Sequence, residues 1–109
     1  MLLTINSFEF SSTFVLQKKS HRLMNVSVEL TLTPLKNSYK NEIKDFIVEL
    51  RKSEFKLIET PLSTQIYGDF DMLMPFLNSI IKKHFMDSSA SILHMKIVNS
   101  DRQYYVADF

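Results

Sequence analysis

The chain lacks several residue types on which common functional sites depend. Its 109 residues include no cysteine and a single glycine. The absence of cysteine excludes disulfides, thiolate metal sites and cysteine nucleophiles, and it suits a reducing cytosol. One glycine excludes a glycine-rich phosphate loop. The histidines, His21, His84 and His94, are too widely separated in sequence to match the short spacing of a metal-ligand set.

Long apolar runs and concentrated basic stretches are also missing. No apolar run approaches the roughly 20 residues needed to span a bilayer. The basic residues at positions 18–22 follow the apolar start of the chain, which is the wrong order for a secretory signal. The formal net charge is +1, without the basic face that binding to a phosphate backbone requires. We therefore expect a cytoplasmic protein with neither a membrane nor a nucleic-acid partner.

The length of 109 residues is sufficient for one small domain with a modest hydrophobic core. A regular pattern begins at Met24, so we predict a single domain over residues 24–109. Residues 1–23 have no comparable pattern. We predict that they are either a poorly ordered extension or the product of a start assigned too far upstream.

The first half of the domain predicts a strand followed by a helix. Residues 25–33 alternate apolar and polar side chains, which is typical of a half-buried strand, and Pro34 ends it. Asn37 or Ser38 is the expected N-cap of the helix. The apolar stripe of that helix is Ile43, Phe46, Ile47 and Leu50.

The second half predicts a hairpin, a second helix and a last strand over residues 91–98. Strands at 55–60 and 64–68 are joined by so few residues that they should pair antiparallel. Because Pro75 is tolerated only in a first helical turn, we expect Asp71 rather than Asp69 to cap the second helix, or the helix to kink. Further expectations are that Leu57 and Ile66 point to the core, that Gly68 serves the turn into the helix, and that the tail from Tyr104 to Phe109 lies on a neighbour.

The resulting order βαββαβ indicates an α+β fold, the ferredoxin-like sandwich. Right-handed crossovers then give a four-stranded antiparallel sheet with two helices on one face. The opposite face would be open and would carry both polar and apolar side chains. Such a surface favours a homo-oligomer that forms through the open sheet face.

Four segments of the chain also resemble a known family. They are residues 26–35, 43–51, 62–71 and 96–102, and the string from Ser63 to Asp69 after Pro61-Leu62 is the most specific. In order and spacing they are similar to the thiamine-binding YkoF-like proteins, over residues 24–102. The resemblance implies a non-catalytic binder of thiamine or its hydroxymethylpyrimidine half, without a cofactor, that acts in vitamin uptake or salvage. Some members are tandem repeats, so this single copy would need an oligomer to supply a second.

Six residues are the candidate ligand contacts: Glu29, Ser63, Thr64, Gln65, Tyr67 and Asn99. The amide of Gln65 complements the ring nitrogen and exocyclic amino group of an aminopyrimidine. Glu29 can accept from the amino group or neutralise a thiazolium cation. The hydroxyls of Ser63 and Thr64 suit the hydroxymethyl group, Tyr67 offers an aromatic face, and Asn99 lies at the end of the last strand.

Five of these six residues also have a purely structural interpretation. Gln65 and Glu29 are suited to cross-strand or interface contacts, Ser63 and Thr64 to ending a hairpin, and Tyr67 to an interface. The alternative function is therefore a structural or regulatory self-assembling module that has no small-molecule ligand. An enzyme is not expected, since no nucleophile, metal set or paired carboxylates can be identified.

Overall fold

A computed structural model describes residues 23–88 and 90–109, so the predictions for residues 1–22 lie outside the described part of the chain. The element order confirms the predicted βαββαβ pattern. The elements are β1 (Asn25–Pro34), α1 (Lys40–Arg51), β2 (Lys56–Glu59), β3 (Thr64–Asp69), α2 (Phe70–Asp87) and β4 (Ser91–Val98).

The four strands form one antiparallel sheet in the order β2-β3-β1-β4. This is the strand order of the ferredoxin-like fold, in which β1 and β3 are central. Val28 is opposite Ile66 on β3 and Ile97 on β4. Because side chains alternate along a strand, this register fixes which residues share each face of the sheet.

The core lies between the helices and one face of the sheet, as the alternating pattern of β1 predicted. Ile66 is 0% exposed, which confirms its inward orientation and places Gln65 and Tyr67 on the other face. The buried cluster comprises Val26, Val28, Leu30, Phe46, Leu50, Ile66, Leu73, Leu77 and Ile80, with Leu57 packed against it. Apolar burial of this kind is the main favourable term in folding.

Helix α1 begins later than the sequence predicts. Its N-cap is Tyr39, with no side-chain capping bond, so the predicted cap at Asn37 or Ser38 is wrong. The first helical bond runs from the amide of Ile43 to the carbonyl of Tyr39. Glu42 lies in the first turn and forms an ion pair with Lys36, which precedes the helix. The helix dipole also favours a carboxylate at this end of the helix.

Helix α2 begins earlier than expected, and Asp69 rather than Asp71 is its N-cap. The start of β1 fixes this position. The amide of Phe70 donates to the carbonyl of Met24 over 2.9 Å, and the amide of Met24 donates to Asp69 Oδ1 over 3.1 Å. Pro75 therefore lies inside the helix, beyond the first turn that its ring geometry prefers.

The single glycine is required by packing and not by a turn. Gly68 lies within β3, and no glycine of the described chain has a positive φ angle. A Cβ atom at this position would approach Phe55 Cδ1 to 2.5 Å. The ring of Phe55 in turn packs at 5.4 Å from the ring of Phe76 on α2. The predicted role in the strand-to-helix turn is therefore wrong: Gly68 makes room for an aromatic side chain.

Candidate functional site

The open face of the sheet carries a cavity of about 490 Å³. Strands β1, β3 and β4 form its floor, and the segment that follows β4 forms one side. Its lining residues are Ser27, Val28, Glu29, Gln65, Tyr67, Lys96, Val98, Arg102 and Tyr105. The volume lies within the range of about 300–1,000 Å³ that is typical of small-molecule sites.

The strand register explains why these side chains meet. Glu29 on β1 is opposite Gln65 on β3 and Lys96 on β4. Two residues earlier on β1, Ser27 is opposite Tyr67 and Val98 in the same way. Directly opposed side chains on one face have Cβ atoms about 4.5–5.5 Å apart, so the two rows form a continuous floor of polar and apolar side chains.

Gln65 and Tyr67 act as a pair on β3. The hydroxyl of Tyr67 donates to Gln65 Oε1 over 2.6 Å, and Tyr67 is only 6% exposed. Burial raises the pKa of Tyr67, with smaller contributions from the negative charges of Asp101 and Glu29, so the phenol remains a donor. The NH₂ group of Gln65 and the second lone pair of its oxygen are left for a ligand.

Glu29 is held from two sides. The hydroxyl of Ser63 donates to Glu29 Oε2 over 2.9 Å, and Lys96 Nζ lies 3.7 Å from Glu29 Oε1. The hydroxyl of Ser63 thus restricts the carboxylate from the β2–β3 connection, and Lys96 compensates its charge from β4. A carboxylate fixed in this way remains able to accept further hydrogen bonds.

The segment after β4 folds back onto the chain's own sheet. Ser27 Oγ donates to the carbonyl of Ser100 over 2.7 Å and accepts from the amide of Arg102 over 2.8 Å. These two bonds bring Arg102 and Tyr105 to the edge of the cavity. The expectation that the tail from Tyr104 to Phe109 lies on a neighbour stays a prediction; of its residues, Tyr105 lines the cavity.

Three of the six predicted contacts line the cavity, namely Glu29, Gln65 and Tyr67. Ser63 reaches it indirectly through its bond to Glu29. The structure does not bring the other two to the cavity. Thr64 is buried on the helix-covered face because it alternates with Gln65 along β3, and Asn99 is exposed just beyond β4 and is not among the lining residues.

The sequence reasoning missed several lining residues. Ser27 and Lys96 lie on the open face of the sheet, but neither is among the predicted ligand contacts. Strand pairing supplies the missing signal, since each lies opposite a predicted contact or beside one. Arg102 and Tyr105 belong to an irregular segment, where no periodicity indicates which way a side chain points.

The aromatic side chain that is exposed at the site is Tyr105 and not the predicted Tyr67. Tyr67 is almost fully buried, so little of its ring is available for stacking. Tyr105 is 67% exposed and lines the same cavity. An exposed aromatic ring at the edge of a site is well suited to cover a flat ligand.

Two other classes of site are not found in the described residues. Residues 23–88 and 90–109 contain no group of three His, Asp or Glu side chains arranged to hold a metal ion. Across the same ranges, no helix has the length and apolar character needed to cross a membrane. His84 packs edge-on against Phe46, with ring centroids 5.3 Å apart.

No protein-family model and no curated protein sequence matches this chain. Solved structures do match. A Streptococcus pneumoniae protein is 25% identical with a TM-score of 0.66, and the alignment covers 72% of this chain and 89% of that one. A Thermotoga maritima protein provisionally assigned to thiamine biosynthesis or salvage is 17% identical with a TM-score of 0.61, covering 67% and 81%.

A third match is a domain of unknown function from Bacillus cereus. It is 16% identical with a TM-score of 0.58, and the alignment covers 79% of this chain and 85% of that domain. At such identities a structural likeness establishes the fold alone, because one fold supports many functions. This chain therefore has a ferredoxin-like α+β fold similar to that of a provisionally assigned thiamine biosynthesis or salvage protein and of a domain of unknown function.

Proposed function

We propose that the chain is a non-catalytic, cytoplasmic binding protein for thiamine or its hydroxymethylpyrimidine moiety, in vitamin uptake or salvage. One observation carries the proposal: the Gln65 amide, oriented by Tyr67 over 2.6 Å, opens into a cavity that also contains the carboxylate of Glu29. These are the groups that an aminopyrimidine edge requires.

The hydrogen-bonding capacity of the two side chains supports this assignment. Gln65 Nε2 donates to a ring nitrogen, while its oxygen accepts from the exocyclic amino group through the lone pair that Tyr67 leaves open. Glu29 accepts the remaining amino hydrogen. A ring that lacks the amino group would form fewer of these bonds, and one hydrogen bond contributes a net ~1 kcal/mol, so this site favours an aminopyrimidine.

Two likenesses point in the same direction. The string from Ser63 to Asp69 resembles the thiamine-binding YkoF-like family. It consists of Ser63 and the whole of strand β3, Thr64–Asp69. The Thermotoga maritima protein with the same fold carries a provisional assignment to thiamine biosynthesis or salvage. Neither likeness identifies the bound compound, so the proposal covers both thiamine and its pyrimidine half.

Calorimetric titration with thiamine and with hydroxymethylpyrimidine tests the proposal. We expect saturable heat with at least one of them, and a loss of about tenfold or more in affinity for Gln65→Ala. The control is Lys44→Ala, on the exposed surface of α1, which should leave affinity unchanged. Absence of both heat and thermal shift at millimolar ligand would refute the proposal, and equal effects of the two substitutions would move the site elsewhere.

A self-assembling module without a ligand is the second candidate. It is favoured by exposed apolar side chains on both faces of the edge strand β4. Ile92 is 44% exposed on the open face, and Met95 and Ile97 are 38% and 45% exposed on the other. Light scattering with and without ligand separates the candidates. A stable homo-oligomer that binds neither compound would favour assembly as the function.

A further inference from the structure

The charges that line the cavity do not balance. Lys96 and Arg102 are cationic, and Glu29 is the only carboxylate among the lining residues. Lys96 lies 3.7 Å from Glu29 and offsets its charge. Arg102 therefore gives the lining one positive charge in excess.

The guanidinium of Arg102 is available to a ligand. Within residues 23–88 and 90–109 it has no ion-pair or hydrogen-bond partner, although its backbone amide is bound to Ser27. The charge of the neighbouring Asp101 acts on Tyr67, but Asp101 does not itself line the cavity. Its carboxylate accepts from the amide and side chain of Gln103 over 3.1 and 3.0 Å. The side chain of Arg102 is thus anchored at its base and unpaired at its tip.

A guanidinium and an ammonium group that line the same cavity, as those of Arg102 and Lys96 do, can bind one phosphate together. The planar fork of arginine matches two phosphate oxygens, and lysine adds a point charge. Lys96 approaches from β4 and Arg102 from the following segment, whereas Gln65 lies on β3, across β1. A pyrimidine held by Gln65 would carry its substituent toward these two cations.

We propose that the cavity selects an anionic pyrimidine, the phosphate ester of hydroxymethylpyrimidine, over the free alcohol and over cationic thiamine. This inference rests on the proposed pyrimidine-binding function and specifies the charge of its ligand. Arg102 and Lys96 bind the phosphate, Gln65 and Glu29 bind the aminopyrimidine edge, and Tyr105 covers the ring. A thiazolium cation would meet a lining of the same sign.

Titrations with four probes test the inference: the alcohol, its phosphate ester, thiamine and inorganic phosphate. We expect the ester to bind about tenfold or more tightly than the alcohol at low salt, and the difference to shrink as salt screens the charges. Arg102→Ala should reduce the ratio of ester to alcohol affinity toward one, and Arg102→Lys should retain part of it. Lys44→Ala is the charge-matched control and should keep the full ratio.

The outcomes distinguish this inference from the function on which it rests. If the alcohol binds but the ester binds no better, the inference fails and the proposed function stands. If none of the pyrimidine compounds binds, the proposed function fails as well. Inorganic phosphate that binds as tightly as the ester would also overturn the inference, because the pyrimidine would then contribute nothing. Thermal unfolding of each variant checks that the fold is intact.

Discussion

The hydroxyl of Tyr67 and the side-chain oxygen of Gln65 are joined by a 2.6 Å hydrogen bond on the open face of β3. The bond fixes the amide orientation that an aminopyrimidine requires. Removing it with Tyr67→Phe should weaken pyrimidine binding by about 1 kcal/mol, roughly fivefold. Calorimetry on the purified variant measures the change. Tyr104→Phe is the matched control, because Tyr104 is exposed and does not line the cavity.

The same tyrosine predicts behaviour at alkaline pH. Burial, with the nearby charges of Asp101 and Glu29, raises the pKa of Tyr67 above its ordinary value of 10.0. The folded state therefore holds this proton more tightly than the unfolded state. Its contribution to stability is full below pH 10 and is lost as the pH rises through the folded pKa. The difference in ultraviolet absorbance between the native protein and Tyr67→Phe should show that the Tyr67 phenolate forms only at a pH above 10.0. Ionisation at the ordinary value would contradict this.

Ser27 is predicted to hold the segment after β4 on the sheet. It donates to Ser100 and accepts from Arg102, over 2.7 and 2.8 Å, so Ser27→Ala removes both bonds and costs about 1–2 kcal/mol. The amide of Arg102 should then exchange with solvent deuterium much faster than in the wild type. Thr33→Ala is the comparison, on the same strand but exposed. Unchanged protection of Arg102 would show that another contact holds the segment.

The regular elements could be predicted because their side-chain periodicity reports directly on burial. The alternation in β1 gives the core face, and the inward position of Ile66 gives the outward positions of Gln65 and Tyr67. The same reasoning should have excluded Thr64, which shares the parity of Ile66 along β3. Its hydroxyl was selected for its chemistry alone.

The remaining features depend on contacts between distant parts of the chain. The start of α2 is set by bonds between Met24 and the residues 69–70, and the need for Gly68 is set by the ring of Phe55. Neither is visible in a local pattern. The position of Arg102 likewise depends on Ser27, which is far away in sequence, so local reasoning could not assign it to the cavity.

The ion pair between α1 and β2 predicts sensitivity to acid. Arg51 donates to both oxygens of Glu59 over 2.7 Å, which lowers the pKa of Glu59 below its ordinary value of 4.5. Its stabilising effect is present above pH 4.5 and is lost as the pH falls through the folded pKa. The melting temperatures of the wild type and Glu59→Gln should therefore converge in acid. If the two melting temperatures differed by the same amount at every pH, the ion pair between Arg51 and Glu59 would be excluded as the cause of the difference.

Gly68 provides the test of packing between β3 and α2. An added Cβ atom would lie 2.5 Å from Phe55 Cδ1, and the ring cannot withdraw freely because it packs on Phe76. Gly68→Ala should therefore lower the free energy of unfolding by about 1–3 kcal/mol, as measured by urea denaturation. Phe55→Leu should restore part of this loss in the double variant, because a smaller side chain relieves the overlap. Strictly additive effects would show that the glycine is required for a different reason, and Asn78→Ala on the exposed side of α2 controls for substitution by alanine itself.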